Sequence, residues 1–373
     1  MRIAVVDTYY PAFLADHYRA RPELAGRPYD EQLAALLDRL FGTFDAYTHG
    51  LRALGHAAEN IIVNAQPLQA RWAADHGLRA RTRLRVPGTR LPPLNGLQMR
   101  LLREIALAQI AAADAEVVYV HGLAAFPRSD LDRLRADGRL VAGQIASPLP
   151  PDEVVDGYQL ILSSFPHFVE QFRARGIASE SFGLGFDERV LAHVPNRGAP
   201  DGERPHGAVF VGSLSPRWHG EGTALLETLA EHVDLEVWGY GMDQRSPLRS
   251  RYRGSAWGAE MFTVLSQSRI VINRHIGTAE GVANNMRLYE ATGCGALLIT
   301  EEAPNLHAIL EPGVECVTYS GVDELAEKVR HYLAHEDERL AIARAGQERT
   351  LRDHTYALRM AQLADVISAY RSR

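Results

Sequence analysis

Asn284-Asn285-Met286-Arg287-Leu288-Tyr289-Glu290-Ala291-Thr292-Gly293-Cys294-Gly295, running into Ala296-Leu297-Leu298-Ile299-Thr300, decides how this chain is read. Asn284 or Asn285 suits a helix N-cap, since a short amide side chain accepts from the open N–H groups of a first turn. Arg287 and Glu290 stand three apart and are neighbours on one helical face. Gly293 or Gly295 ends the helix, and the apolar run behind it reads as a buried strand. A short capped helix handing directly to a buried strand is part of a βαβ unit.

The same alternation extends outward in both directions. Upstream lie the strand candidates Ala208 to Val211, Leu235 to Trp238 and Ile270 to Ile272; downstream lie Cys316 to Tyr319 and two or three helices from Val322 to Tyr370. The N-terminal half repeats the pattern with strands at Ile3 to Val6, Ile61 to Val63, Val117 to Val120, Leu140 to Ile145 and Leu160 to Ser163. Leu97 to Ala113 reads as a helix, and Leu33, Leu36, Leu37, Leu40, Phe41 and Phe44 fall on one face of another. The Pro/Gly-rich stretch Val194 to Gly207 reads as a linker. The expected fold is therefore α/β, with two Rossmann-like parallel-sheet lobes facing a central cleft. Residues 1–190 form one lobe, 191–355 the other, and 356–373 a last helix. Ligands of such sheets bind outside the carboxyl ends of the strands, so the chemistry belongs in the loops that follow them.

Composition narrows the partners. The 373 residues are 46% hydrophobic and 23% charged, with a net charge of -6 that offers no general attraction to nucleic acid or anionic membranes. Lys328 is the single lysine among 40 basic residues, a bias of GC-rich genomes that also favours the forked guanidinium for gripping phosphate. Two cysteines, Cys294 and Cys316, without CxxC spacing, point to a reducing compartment. No apolar run reaches the roughly 18–20 residues of a membrane span. Met1 to Asp7 reads as a first strand instead of a signal peptide, and the expected location is cytoplasmic. The alternating arginines from Arg79 to Arg85 read as an exposed loop or edge.

Four stretches in the C-terminal half could carry chemistry. In Val211-Gly212-Ser213-Leu214-Ser215-Pro216-Arg217, a strand runs into a glycine, hydroxyls and an arginine, either an oxyanion site or an ordinary strand-to-helix turn. At Asn284 to Glu290 the helix start offers N–H groups to a diphosphate, Arg287 adds charge, and Glu290 can hold ribose hydroxyls; the alternative is a plain Arg–Glu pair. Trp238, Tyr240 and Trp257, flanked by glycines, could sandwich a nucleobase or simply pack. Asn273 and His275 at a strand end, with Glu280 in the loop beyond, could meet a sugar or serve the structure. In the N-terminal half, Asp7 with Tyr9 and Tyr10, and His121, stand at strand ends as acceptor-side candidates. The histidines lack metal-ligand spacing, and neither a metal nor a cofactor is expected.

At these residues a resemblance emerges. From about Ala208 to Ile367 the chain resembles the C-terminal domain of GT-B glycosyltransferases, in the CgeB-like (spore-maturation-protein-like) branch. The resemblance is carried by Phe210-Val211-Gly212-Ser213, Trp238-Gly239-Tyr240-Gly241, Ser268 to Asn273, Arg287 to Gly295, Gly313-Val314-Glu315-Cys316, Asp323 to Ala326, and His354-Thr355-Tyr356 with Arg359. It implies a nucleotide-sugar donor in the C-terminal lobe and an acceptor, of unknown identity, in the N-terminal one. Gly212 and Ser213 then make the phosphate-side turn, Arg217 and Arg287 stabilise the leaving diphosphate, and Glu290 binds the donor ribose. Where the larger group has a sugar-contacting glutamate, this chain has Val282, with Glu280 nearby. The implied reaction is metal-independent and retaining; an inverting course would need a base, for which Asp7, His121 and His275 are the candidates. The last helix crosses back to the N-terminal lobe in related folds. Rival readings are a nucleotide-sugar epimerase on the same fold, a non-catalytic nucleotide-sugar-binding module, and a nucleic-acid binder using Arg79 to Arg85, which the net charge disfavours.

Overall fold

A computed structural model describes the backbone of residues 1–78 and 92–372, with side chains for all of these except 92–95 and 216–221. The arginine-rich stretch Arg79 to Arg85 thus lies outside the described residues. The chain divides into two compact units, Met1–Phe182 with Met360–Arg373, and Gly183–Arg359. The last helix, Tyr356–Arg371, begins in the second unit and continues in the first.

The first unit is built on β1 (Arg2–Asp7), β2 (Ala57–Ile62), β3 (Val117–His121), β4 (Leu140–Gln144), β5 (Leu160–Ser163) and β6 (Ala178–Ser181). All pairings are parallel, in the order β2-β1-β3-β4-β5-β6. The second unit holds β7 (His206–Ser213), β8 (Leu235–Tyr240), β9 (Tyr252–Gly254), β10 (Ser268–Asn273), β11 (Leu297–Glu301) and β12 (Val317–Tyr319), again parallel, in the order β12-β11-β10-β7-β8-β9. Counted within the unit, that is the dinucleotide-binding order, reversing between its first and fourth strands. In each unit the order reverses beside the first strand, between β1 and β3 and between β7 and β10. There the connections leave in opposite directions and open a crevice at the strands' carboxyl ends.

Central strands are buried on both faces, which is why they read as unbroken apolar runs. Ala208, Phe210, Leu235, Val237, Ile270, Ile272, Leu297 and Ile299 form one core cluster of the second unit with Leu226 and Leu229 of the helix Pro216–His232. Among the described residues no helix is long and apolar enough to cross a membrane.

Two expectations are corrected here, and two strands are added. The face Leu33 to Phe44 is not one helix: Tyr29–Leu37 is helical, then Leu40, Gly42 and Phe44 take positive φ of 54°, 61° and 33°. A left-handed non-glycine residue costs roughly 1–2 kcal/mol. Burial of Leu40 and Phe44, worth about 1.5–3 kcal/mol for a large apolar side chain, offsets it. The stretch Val194 to Gly207 is no exposed linker, because Arg204 is buried in it and donates to the carbonyls of Pro200, Ala199, Gly198, Ser268 and Cys294 at 2.8–3.2 Å. Burial, with Arg339 next, brings the Arg204 guanidinium down to about 10. Finally, the short outer strands β6 and β9 escaped the reading altogether, being polar and only four and three residues long.

Candidate functional site

The strand-order reversal of the second unit sets the frame. The end of β7 delivers Gly212 and Ser213, and the helix Pro216–His232 starts after two intervening residues. Gly212 lies opposite Gly239 on β8, and a side chain at Gly239 (φ 152°) would collide with the Gly212 carbonyl, so glycine is required for this approach. Ser215 stands at the N-cap without capping the helix through its hydroxyl, and Pro216 occupies the first turn. The first-turn amides are therefore not taken up by that side chain, and the positive end of the helix dipole faces the same strand ends. The Arg217 side chain lies outside the described residues.

Across the reversal, β10 ends at Asn273 and the chain continues to Arg274. The Arg274 guanidinium lies against Gly222 of that helix, 5.6 Å from the centre of the Phe210 ring. Among the described residues its guanidinium makes one hydrogen bond, to the Ser213 carbonyl, long at 3.5 Å, and its Nε is buried without a partner. Burial holds it below the usual arginine range, against the pull of Glu301 and Tyr319. Among the described side chains no carboxylate forms an ion pair with it. A cation so placed, beside a helix N-terminus and a glycine turn, suits an oxyanion such as a diphosphate. Sequence reading missed Arg274; its only signal was an arginine directly after a buried strand.

Its neighbours are held by the framework. The Asn273 amide donates to Thr300 Oγ1 at 2.9 Å, and its carbonyl accepts from Tyr319 OH at 3.0 Å, so this buried side chain ties strands together. His275 donates its backbone N–H to the Glu301 carboxylate, and its ring Nε2 lies 3.2 Å from the Glu301 carbonyl, leaving Nδ1 buried and unpartnered. Burial lowers its pKa, with Glu301 opposing. Glu280 follows Gly277–Ala279 in a left-handed conformation (φ 49°) and is exposed.

Asn285 caps the helix Met286–Gly293, accepting from Leu288 N at 3.3 Å, while its amide donates to the Arg274 carbonyl at 2.9 Å. One side chain thus joins that helix start to the strand end that presents Arg274. Asn284 beside it is buried. Arg287 and Glu290 do pair, at 2.8 Å, but the pair is buried; the guanidinium also contacts Met261 Sδ at 3.2 Å. Burial raises the Glu290 pKa and Arg287 opposes it. Cys294 is buried, its thiol pushed up by burial, as befits packing and not nucleophilic work. Of the three aromatics, Tyr240 and Trp257 stack at 5.4 Å and 28°, whereas Trp238 packs edge-on against His206.

In the first unit, the reversal between β1 and β3 brings Asp7 and His121 together. Asp7 Oδ2 lies 3.4 Å from His121 Nδ1, and Thr43 Oγ1 lies 3.2 Å from the same nitrogen. The other Asp7 oxygen accepts from Thr8 N at 2.7 Å. Tyr47 packs edge-on to the imidazole at 4.2 Å, and Nε2 is buried without a partner. Tyr9 is buried and Tyr10 half exposed. Thr43 was not singled out from sequence, since it lay inside a presumed helix. Among the described residues no group of three or more His, Cys, Asp or Glu is placed to hold a metal ion.

Residues 221–365 match the family model described as glycosyl transferase-like. No curated protein matches the chain. Among solved structures, the sucrose-phosphate synthase of Thermosynechococcus elongatus is similar at 13% identity and TM-score 0.59, over 99% of this chain and 100% of that one. The HepE protein of Anabaena, solved with UDP-glucose, is similar at 12% identity and TM-score 0.58, over 98% of this chain and 99% of that one. A UDP-N-acetylglucosamine 2-epimerase from Listeria monocytogenes follows at 12% identity and TM-score 0.55, over 100% and 97% of the two chains. Such distant likeness speaks for fold. Two six-stranded parallel sheets flanked by helices are thus the α/β fold seen in GT-B glycosyltransferase structures, and residues 221–365 match a glycosyl transferase-like family model.

Proposed function

We propose that the chain is a glycosyltransferase that moves a sugar from a nucleotide-sugar donor, held by the second unit, to an acceptor handled by the first. The observation that carries this reading is Arg274: a half-buried guanidinium, its Nε buried without a partner, with no carboxylate ion pair among the described side chains, beside a helix N-terminus at the strand-order reversal. Such a cation is stabilised by an anion that arrives with the ligand, and the donor diphosphate is that anion. As the glycosidic bond to phosphate breaks, charge grows on the leaving diphosphate. Arg274, with Arg217, Arg287 and the amides after Gly212, Ser213 and Ser215, would stabilise it without a divalent ion. Preorganised donors of this kind are each worth on the order of 100- to 1000-fold in rate.

Glu290 would hold the donor ribose, Tyr240 and Trp257 the base, and Glu280 the sugar. We favour a retaining course, on the resemblance noted in the sequence. The UDP-glucose complex of the similar Anabaena protein makes a uridine diphosphate sugar the first donor to test.

The test is a panel of UDP-, GDP-, dTDP- and ADP-sugars scored by thermal shift and then by nucleoside diphosphate release. A donor at one hundred times its Kd adds about 2.7 kcal/mol of stability. If no member stabilises the protein, or Arg274→Ala and Glu290→Ala bind donor as wild type does, the reading fails. A second reading, a nucleotide-sugar epimerase, draws on the Listeria likeness. It is separated by products: an epimerase alters the donor sugar with no acceptor present.

A further inference from the structure

We infer that the arched segment Leu40–Phe44 and Tyr10 build an acceptor subsite in the first unit that takes a pyranose ring; this rests on the glycosyltransferase reading above. The segment sits at the carboxyl ends of β1 and β3, where the strand order reverses and ligands of such sheets bind. It is wound through two left-handed non-glycine residues, Leu40 and Phe44, and strain of that kind is retained where it positions something. What it positions is two side chains.

Thr43 Oγ1 meets His121 Nδ1 at 3.2 Å, on the nitrogen that also faces Asp7 at 3.4 Å. Phe41 stacks on the buried Phe13 at 4.0 Å and 11°, and meets the ring of Tyr10 edge-on at 5.4 Å. Tyr10 is thereby held from behind while 49% of it stays exposed, in contrast to Tyr9 and Phe13, which are buried. An exposed, braced ring three residues from a carboxylate offers an apolar face beside hydrogen-bond acceptors. A pyranose has that pairing, with C–H groups on one face and hydroxyls around its rim. An alkyl chain would make no use of the hydroxyl and carboxylate acceptors here, and an acidic acceptor would be repelled by Asp7 and the adjoining Asp45.

The probes are methyl α-D-glucopyranoside, the matching mannoside and galactoside, and dodecanol, used with the full chain in saturating UDP-glucose or whichever donor of the panel binds. Saturation-transfer NMR should show ring-proton contacts for at least one glycoside, and donor turnover should yield a glycosylated product from it. Tyr10→Ala should weaken that glycoside at least tenfold in KM, Tyr10→Trp should restore it, and donor Kd should stay at the wild-type value in both. Thr43→Val should lower kcat for transfer, and Thr43→Ser should recover it, since only the hydroxyl serves His121. No contact with any of the three glycosides, equal KM in Tyr10→Ala and wild type, or transfer to dodecanol alone would each overturn the inference. Because donor Kd is measured on the same samples, a protein that binds donor but ignores glycosides sinks this subsite only. A wild-type protein that binds no donor sinks the underlying reading.

Discussion

The two strand-order reversals share a topology and differ in chemistry. At the first, an imidazole is answered by a carboxylate and a hydroxyl: His121 faces Asp7 and Thr43, with rings packed around them. At the second, a guanidinium is left unanswered by any described carboxylate, and glycines clear the backbone around it. The sheet therefore supplies only the place. On the proposed reading, whether that place favours a neutral polyol or a polyanion turns on one or two residues at the end of each strand or just past it. An imidazole already met by a carboxylate and a hydroxyl gains little from an incoming ion, whereas a half-buried cation with no ion-pair partner among the described side chains gains much, and this difference orders the expected roles of the two units.

Four experiments can break or sharpen that contrast. The largest effect belongs to Gly239→Ala, whose added carbon would strike the Gly212 carbonyl; the second unit should lose more than about 3 kcal/mol in urea unfolding. Arg274→Ala comes next. Hydrogen bonds to charged groups are worth about 1.5–3 kcal/mol, so calorimetry should show donor affinity falling roughly 10- to 100-fold. Stability without donor should hold or rise, because a half-buried cation with no ion-pair partner among the described side chains is removed. A simultaneous loss of folding would instead make Arg274 structural and erase the contrast.

The third experiment concerns the first unit. Burial, helped by Arg21 and Arg39 and opposed by Asp16, holds the His17 imidazole down from 6.5 to about 4. With the folded pKa depressed, the neutral form is favoured. Its contribution is complete above pH 6.5 and is lost as pH falls through about 4. Unfolding at pH 7, 5.5 and 4 should reveal a loss on the order of 2 kcal/mol after allowance for solvent screening, flattened in His17→Gln. The smallest effect is expected for Tyr240→Leu, which keeps bulk but loses the stacked pair with Trp257, about 1 kcal/mol by thermal melting. If it also blurs discrimination among donor bases, the pair holds the base.

Much of this was legible beforehand, for physical reasons. A parallel strand covered on both faces must be continuously apolar, so Ala208 to Val211, Ile270 to Ile272 and Leu297 to Thr300 announced themselves. The asparagine cap worked because capping is local, and Asn285 indeed accepts from Leu288 N. Arg274 and Arg204 were opaque, because an arginine in a loop looks solvated until the surrounding carbonyls and helices are in place. The Leu40–Phe44 arch was misread because its apolar residues happened to repeat with a helical period, while tertiary burial drew the backbone into left-handed turns.

Local pattern alone determined the alternation of helices and strands, the parallel sheets, the glycine at the end of β7 and the capped helix bearing Arg287 and Glu290. These depend on periodicity and on hydrogen bonds spanning three or four residues. Only the tertiary structure decided that Asp7 meets His121 and that Arg274 stands without an acidic partner among its described neighbours. Those facts depend on strand order and burial, which bring together residues a hundred positions apart or fold a loop against a helix. Neither is written in any single stretch of the chain.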